Sequence, residues 1–288
     1  MKVLVIGGSG FIGSHITDEL SSRNHEVVIF DKHPSPWIKK NQKMVVGEIS
    51  LSGLLEEEIS KTDVVFHMAG IADIKESSTN AIETIQENVV NSSIVMELCS
   101  QYSVRFMYGS TVYVYSKHGS FYRASKQSVE TFIEVFHEEK NLDYTILRYG
   151  SLYGPRSQKW NGVKKIVSEI VENKKIIFKG SGKEKREYIH VSDAAKMSVD
   201  LMDESYKQKA ITISGLQILT QSELIEMIIE IIGKDVEVKF NENSDIEAHY
   251  NQTPYQYVPK RSTKLVPSEY IDLGQGILEL VSELTQKE

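Results

Sequence analysis

Short apolar runs, many of them rich in β-branched residues, alternate through the first half of the chain with longer segments in which apolar residues recur at helical spacing. Brief runs bounded by polar residues or glycine predict β-strands. The predicted strands are Lys2–Ile6, Glu26–Phe30, Met44–Val46, Val64–His67, Arg105–Tyr108 and Tyr144–Leu147. The predicted helices between them are Phe11–Ser22, Ser52–Ser60, Ala81–Ser100 and Tyr122–Lys140. Regular alternation of strand and helix predicts right-handed crossovers and an α/β fold with a doubly wound parallel sheet.

The helix predicted at Ala81–Ser100 has a recognisable apolar stripe. Ile82, Ile85, Val89 and Leu98 fall on roughly one side of it, and its Glu and Asn residues fall largely elsewhere. A stripe of this kind normally faces the core. We therefore expect this side of the helix to be buried.

The pattern changes after Gly154-Pro155. Helical periods dominate from there, at Val163–Asn173, Asp193–Met202, Ser222–Ile232 and Gly274–Thr285. No flexible linker separates the two parts. We expect a smaller, mostly helical second lobe packed on the first, with the ligand site in the cleft between them.

Composition narrows the classes of function. The 288 residues include 33 Lys and Arg against 40 Asp and Glu, a net charge of −7, which disfavours nucleic acid and anionic membranes as partners. The single cysteine, Cys99, excludes an internal disulfide, and none of the eight histidines has the spacing of a metal site. No apolar run is long enough for a membrane span. We expect a cytoplasmic protein with a small-molecule partner and no metal.

A glycine-rich turn, Gly7 to Gly13, follows the first strand and opens the first helix. It satisfies both GxGxxG, from Gly8, and GxxGxxG, from Gly7. Glycine lets a pyrophosphate approach the N–H groups at the helix N-terminus and lets helix and strand pack closely. The turn predicts a dinucleotide site formed by Gly7, Gly10, Phe11, Ile12 and Gly13.

Asp31 ends the second strand, where a carboxylate would accept hydrogen bonds from the adenosine ribose and repel a 2′-phosphate. This position predicts NAD rather than NADP, although the adjacent Lys32 and His33 would soften the preference. Glu48, followed by Ile49, comes after the third strand. Its carboxylate is a candidate partner for the adenine amino group, the alternative being a surface glutamate.

Tyr122 and Lys126 lie four residues apart on a predicted helix and so share one face. A tyrosine has an ordinary pKa of about 10, so it acts as a general base at neutral pH only when a nearby cation favours its ionised form. The same spacing occurs at Tyr113 and Lys117. That pair lies where a strand runs into a loop, in which residues four apart do not meet, so context favours Tyr122 and Lys126.

Several further segments occur in the order found in one enzyme family. They are Gly7–Gly13 for its GxxGxxG turn, His67–Gly70 for HxAA, Ser110–Tyr115 for SSxxVY, Arg148–Arg156 for RxxNVYGPR and Arg186–Asp193 for RDYIHVxD. On these motifs the whole chain resembles the extended short-chain dehydrogenase/reductase family, in its nucleotide-sugar epimerase/dehydratase branch. The resemblance implies a Rossmann-type sheet that binds NAD.

The resemblance also assigns roles to residues. Thr111, Tyr122 and Lys126 would be catalytic, with Tyr122 and Lys126 also contacting NAD. Further cofactor contacts would come from Met68, Ala69, Gly70 and Asn88. Substrate contacts would come from Thr111, Ser151 and Arg186, with Arg186 at the nucleotide phosphates. His67 and His190 lie inside motifs, yet we expect both to be packed structural residues.

Departures from the family pattern concern the substrate. Dehydratases of the family carry Asp-Glu after the catalytic Thr, whereas this chain has Val112-Tyr113. The family's substrate-contacting Asn is Ser151 here. Only ten residues separate Thr111 from Tyr122, where relatives usually have a longer loop over the sugar. An altered substrate or a more open site follows as an expectation.

The leading hypothesis is an NAD-dependent 4-epimerase of a nucleotide-activated sugar, which oxidises C4, rotates the keto sugar and reduces its other face. The alternatives are a dehydrogenase or ketoreductase of the same fold and a non-catalytic NAD-binding sensor. The resemblance further implies a homodimer formed through Ala81–Ser100 and Tyr122–Lys140. We further expect two parts in the chain: an NAD-binding domain, 1–155 with part of 186–215, and a substrate-binding lobe, 156–288.

Overall fold

The computed structural model describes residues 1–51, 53–116, 118–233, 236–241, 262–265 and 267–285. Its strands, numbered along the chain, are β1 Lys2–Ile6, β2 Glu26–Asp31, β3 Gln42–Val46, β4 Val64–His67, β5 Arg105–Thr111, β6 Tyr144–Tyr149, β7 Ser151–Tyr153, β8 Lys175–Lys179, β9 Lys185–His190, β10 Lys209–Ile213, β11 Ile218–Thr220, β12 Glu237–Asn241 and β13 Ser262–Leu265.

The helices are α1 Phe11–Ser22, α2 Gly53–Ile59, α3 Ile74–Thr79, α4 Ala81–Ile85, α5 Asn91–Gln101, α6 Ser120–Lys140, α7 Gly162–Asn173, α8 Val191–Asp200, α9 Gln221–Ile232 and α10 Leu273–Thr285. A π-helical turn, Gln86–Val90, joins α4 to α5, and a 3₁₀ turn, Val112–Tyr115, follows β5. None of the described helices is long and apolar enough to span a membrane.

Eight strands form one parallel sheet in the order β13-β10-β6-β5-β4-β1-β2-β3. The chain runs outward from β1 to β3, then crosses back to β4 on the other side of β1. This is a doubly wound, Rossmann-type sheet, as predicted. The direction of strand order reverses between β1 and β4, which opens a crevice at their carboxyl ends.

Both faces of this sheet are covered. Val3 and Val5 of β1 point to one face and pack with Ile16 of α1 and residues of α8. Leu4 points to the other face, in a core that includes residues of α2, α5 and α6. Because both sides are buried, β1, β2 and β4 are apolar over most of their length, with little of the alternation seen in a half-exposed sheet.

The second half of the chain contains more β-structure than predicted. Besides α7, α9 and α10, its described part forms a three-stranded sheet, β11-β9-β7, and a parallel pair, β12-β8. Strands such as β9 and β12 mix charged and apolar residues and lack the apolar runs that predict the strands of the first half. Three elements return to the large sheet or its covering layer, because β10 pairs with β6, β13 pairs with β10, and α8 packs against α1.

The buried side of the helix predicted at Ala81–Ser100 is not the one expected. Ile82 is 79% exposed and Ile85 is 41% exposed, whereas Thr84, Asn88 and Ser92 are buried. The helix includes the π-helical turn, which holds an extra residue and shifts the face that follows it. The predicted apolar stripe is therefore wrong in its first half, and the structure leaves this surface uncovered in the single chain.

Candidate functional site

A cleft of about 1160 Å³ opens where the strand order reverses and continues toward the second half of the chain. This volume exceeds the few hundred cubic ångströms of a typical small-ligand pocket, so it has room for a dinucleotide and a substrate together. Nearly all the predicted site residues line it: Gly7, Gly10, Phe11, Ile12, Gly13, Asp31, Lys32, Glu48, Ile49, Met68, Ala69, Gly70, Thr111, Tyr122, Lys126, Ser151 and Arg186.

The glycine-rich turn forms one end of the cleft. Gly7 has φ +82°, and a Cβ there would lie 2.5 Å from the Ala69 backbone nitrogen. A Cβ on Gly13 would lie 2.2 Å from the Gly7 carbonyl oxygen. Only glycine fits at these two positions, since the turn, α1 and the loop after β4 touch one another there.

Helix α1 points its N-terminus into the cleft. Gly10 is the N-cap residue, and no side chain caps this end. The first N–H groups of a helix lack intrahelical partners and carry partial positive charge, so they attract anions. The uncapped end, flanked by glycines that leave room for close approach, fits the pyrophosphate of a dinucleotide.

Asp31 at the end of β2 is held beside this turn. Its carboxylate accepts hydrogen bonds from the backbone N–H of Ser9 and of His33, each at 3.0 Å. The Ser9 hydroxyl also donates to the His33 carbonyl at 2.7 Å. A carboxylate oxygen has more than one lone pair, so Asp31 keeps acceptor capacity for the hydroxyls of a ribose.

Asn88 is the one predicted site residue that does not line the cleft. It is 1% exposed and hydrogen-bonds both backbone groups of Ile71, through Oδ1 at 2.7 Å and Nδ2 at 2.9 Å. Its Nδ2 also donates to the Ser125 hydroxyl at 3.0 Å. Asn88 thus ties the loop after β4 to helix α6 from behind the cleft wall.

The three predicted catalytic residues converge on one wall of the cleft. Thr111 ends β5, one strand away from the crevice, and Tyr122 and Lys126 lie in the first turns of α6. The Thr111 Oγ1 accepts a hydrogen bond from the Tyr113 N–H at 3.3 Å. This bond uses a lone pair of the oxygen, so the O–H of Thr111 can still donate a hydrogen bond to a substrate oxygen.

Lys126 is a buried cation beneath this wall, only 7% exposed. Its Nζ donates to the Gly109 carbonyl at 2.7 Å and lies 4.7 Å from the centre of the Tyr108 ring. Loss of water around the ammonium lowers the pKa of Lys126 to about 8, although the Glu130 carboxylate opposes this shift. The group is therefore mostly charged at neutral pH.

The structure contains a buried polar network behind Lys126 that the sequence did not predict. Glu130 forms an ion pair with Arg148 of β6 at 2.6 Å and accepts a hydrogen bond from the Ser110 hydroxyl at 2.5 Å. Arg148 also donates to the Tyr115 hydroxyl. The network fixes α6 against the ends of β5 and β6. Its one sequence signal is the position of Glu130, four residues after Lys126 on the same helix face.

The far end of the cleft is built by the second half of the chain. Ser151 of β7 and Arg186 of β9 lie on its surface, with Asn161 and Lys165 near α7. Arg186 is 9% exposed and donates to the Lys185 carbonyl at 2.9 Å. A largely buried guanidinium in an open cleft suits a phosphate group.

The remaining candidates are structural. His67 is fully buried beside Ser92, and burial lowers its pKa to about 3. His190 ends β9 and is the N-cap residue of α8, and burial lowers its pKa to about 4. Cys99 is buried, and the loss of solvent raises the pKa of its thiol. Within the described part of the chain, no group of three or more His, Cys, Asp or Glu is placed to hold a metal ion.

Residues 3–214 match the family model of the NAD dependent epimerase/dehydratase family. Among curated proteins, UDP-glucuronic acid decarboxylase 1 of Arabidopsis thaliana is 24% identical over 313 residues, covering 100% of this chain and 70% of the relative.

Two solved structures share the fold over the whole chain. UDP-glucuronic acid 4-epimerase from Bacillus cereus, solved with UDP-glucuronic acid and NAD, has a TM-score of 0.86 at 22% identity, covering 100% of both chains. UDP-glucose 4-epimerase from Thermotoga maritima, solved with UDP-glucose, has a TM-score of 0.85 at 24% identity, covering 100% of this chain and 99% of the other. At these identities the likeness establishes the fold.

Proposed function

The chain belongs to the NAD dependent epimerase/dehydratase family, and from this premise we propose that it is a 4-epimerase of a nucleotide-activated sugar. One observation carries the proposal. Thr111, Tyr122 and Lys126 line the same cleft as the glycine-rich turn at one end and Arg186 at the other. A cofactor and a nucleotide sugar would therefore meet at these three side chains.

NAD fits the first end of the cleft. The N-terminus of α1 would hold its pyrophosphate, Asp31 its adenosine ribose, and Glu48 its adenine amino group, with Lys32 and Ile49 beside them. Met68, Ala69 and Gly70 would line its path toward Lys126, while Asn88 would act through the loop it holds. When bound, NAD supplies a site that takes a hydride from the sugar carbon and returns it.

Tyr122 would remove the proton from the sugar hydroxyl as that carbon is oxidised, and would return the proton on reduction. Lys126 would favour the ionised form of Tyr122, because a cation stabilises a nearby phenolate. Its ammonium would also bind the nicotinamide ribose. The hydroxyl of Thr111 would donate a hydrogen bond to the same sugar oxygen and stabilise the charge that develops there.

The other end of the cleft would hold the nucleotide of the substrate. Arg186 would bind its phosphates, and Ser151 would contact the sugar. We propose that NAD is held by residues 1–155 with the returning part of 186–215. Residues 156–288 would form the substrate-binding lobe, and the first domain would add Ser151 and Arg186 to the substrate site.

The side chains after Thr111 favour epimerisation over elimination of water. An elimination needs an acid and a base in addition to the oxidising set. Val112 and Tyr113 occupy the two positions after Thr111, and neither is a carboxylic acid. Return of the hydride to the opposite face of a rotated sugar needs no further acid.

The test is turnover of a panel of UDP-sugars that includes UDP-glucose and UDP-glucuronic acid. Products are followed by NMR and free NADH by absorbance. A 4-epimer formed with no net NADH supports the proposal. Stoichiometric NADH would identify a dehydrogenase, a pentose product would identify a decarboxylase, and NAD binding without turnover of any sugar would identify a sensor; each would overturn it.

Replacement of the proposed base gives the sharpest variant. We expect Tyr122→Phe to lower kcat by about 10²-fold or more, as is typical when a general base is removed, and to change NAD affinity only a few-fold. Tyr102→Phe is the matched control, because Tyr102 bonds Glu56 on the surface. Unchanged turnover in Tyr122→Phe would mean that another residue is the base, and Tyr113 would be tested next.

We propose further that the protein is a homodimer. Large apolar side chains are exposed along α6, where Phe121, Phe132 and Val135 are 41%, 43% and 45% exposed. Ile82 and Ile85 are exposed on the neighbouring α4. A cluster of exposed apolar side chains is typical of an interface, and two such helix pairs would form a four-helix bundle.

A cytoplasmic location accompanies the proposal, because NAD and nucleotide sugars are cytoplasmic metabolites.

A further inference from the structure

We propose that Tyr113 determines which sugars this enzyme accepts, because its ring forms a wall beside the proposed base Tyr122 and limits the size of sugar substituents. The inference rests on the proposed function and adds the residue that discriminates between substrates. Tyr113 lines the cleft together with Thr111 and Tyr122.

The backbone of Tyr113 is fixed to the proposed catalytic site. The chain leaves β5 at Thr111 and turns at once into the 3₁₀ turn Val112–Tyr115. The Tyr113 N–H donates to the Thr111 Oγ1 at 3.3 Å. Two residues after the strand end, this side chain therefore has a defined position relative to the Thr111 hydroxyl.

The Tyr113 ring is held on two sides. It meets the Tyr122 ring edge to face, with the ring centres 6.1 Å apart and the planes at 71°. It also lies against Gly119, where φ is +103° and a Cβ would come within 2.7 Å of the Tyr113 Cδ1. Any side chain at position 119 would displace the ring. Gly119, which precedes α6, thus fixes one side of this aromatic side chain.

An aromatic ring in this position has two consequences for a sugar. Its face offers apolar surface to the C–H groups of a pyranose ring. Its bulk also removes space next to the base. Because the oxidised sugar must rotate so that the hydride can return to its other face, a large substituent on either side of the reacting carbon has to pass Tyr113. We therefore expect a hydroxyl to be accepted and an acetamido group to be rejected.

The experiment compares UDP-glucose with UDP-N-acetylglucosamine as substrates of the 288-residue chain and of three variants. Tyr113→Ala removes the ring, Tyr113→Leu keeps apolar volume without an aromatic face, and Tyr113→Phe keeps the ring as the matched control. We expect Tyr113→Ala to raise the ratio of kcat/KM for the acetamido sugar over glucose by about tenfold or more, the range of discrimination available to an apolar wall. Tyr113→Phe should leave this ratio within about threefold of the wild-type value.

An unchanged ratio in Tyr113→Ala would overturn the inference. A fall of kcat in Tyr113→Phe as deep as that in Tyr113→Ala would also overturn it, because the hydroxyl and not the ring would then matter. If Tyr113→Ala does not fold, the same ratio in Tyr113→Leu should shift in the same direction by a smaller factor, and no shift there would refute the inference.

Failure of the proposed function can be told apart from failure of this inference. If the wild type epimerises neither sugar, the function is wrong. Affinities of the two UDP-sugars, measured by calorimetry on wild type and Tyr113→Ala with NAD present, then test the wall alone. A selectivity for UDP-glucose that is lost in Tyr113→Ala supports the inference, and equal selectivity in both proteins overturns it.

Discussion

Lys126 shows at the scale of one residue how the fold tunes a functional group. Its ammonium lies under the cleft wall with the Gly109 carbonyl as its hydrogen-bond acceptor. Burial lowers the pKa of Lys126 to about 8 from the ordinary value of 10.5, so the charged form is less favourable in the folded protein than in the unfolded chain. The burial of this ammonium beneath the cleft wall thus carries a cost in folding stability.

This cost predicts a pH dependence of stability. Between pH 8 and 10.5 the unfolded chain holds a proton on Lys126 that the folded protein has lost, so the contribution of this group to stability rises with pH. Below pH 8 both states are charged and the full cost remains. We expect the free energy of unfolding of the wild type to rise, relative to that of Lys126→Met, by up to about 3 kcal/mol between pH 8 and 10.5.

The measurement is urea unfolding of both proteins, without added cofactor, from pH 7 to 10.5. The difference between them removes the contributions of all other titrating groups. A stability difference that stays constant over the whole range would contradict the prediction.

At the scale of an element, the helical segment from α4 to α5 shows how an irregular turn positions a buried side chain. Its π-helical turn holds Asn88, which bonds Ile71 and Ser125 and so joins the loop after β4 to α6. Gly70 in that loop has φ +139°, and a Cβ there would lie 2.6 Å from the Asn88 Oδ1. Irregular helical turns of this kind often occur at functional sites.

We expect Asn88→Ala to weaken NAD binding by about tenfold or more and to reduce stability by about 1–3 kcal/mol, because the buried Ile71 groups lose their partners. Ser93→Ala, in the same helix, removes only a bond to the Val89 carbonyl and is the control. Calorimetric titration with NAD and urea unfolding measure the two effects. If NAD affinity is the same in Asn88→Ala and Ser93→Ala, the loop does not depend on Asn88.

The whole molecule leaves an apolar surface along α4 and α6 that the single chain does not cover. Phe132 is central to it and is 43% exposed. We expect Phe132→Glu to convert a dimer into monomers at micromolar concentration, because two such charges would face each other across a two-fold axis. Leu278→Glu, on α10 at 45% exposure, is the control and should remain dimeric. Light scattering distinguishes twice the single-chain mass from one, and a monomeric wild type would refute the dimer.

The sequence by itself determined the order of the first six strands and one end of the cleft. Strands β1, β2 and β4 are apolar over most of their length, so they were recognised without knowledge of their neighbours. The glycine-rich turn and the pair Tyr122 and Lys126 depend on local geometry, a strand-to-helix turn and one helical turn. Residues close in the chain keep these relations in any fold that contains the element.

Only the tertiary structure decided which residues of distant segments contact each other and which remain exposed. It placed Asn88 behind the cleft wall, paired Glu130 with Arg148, and left Ile82 exposed on the surface. The second YxxxK pair shows the same limit: Tyr113 proved to lie in a 3₁₀ turn at the cleft, while Lys117 lies outside the described residues. Such contacts depend on strand register, helix docking and one π-helical turn. Periodicity fixes which residues share a face, and packing alone fixes what that face meets.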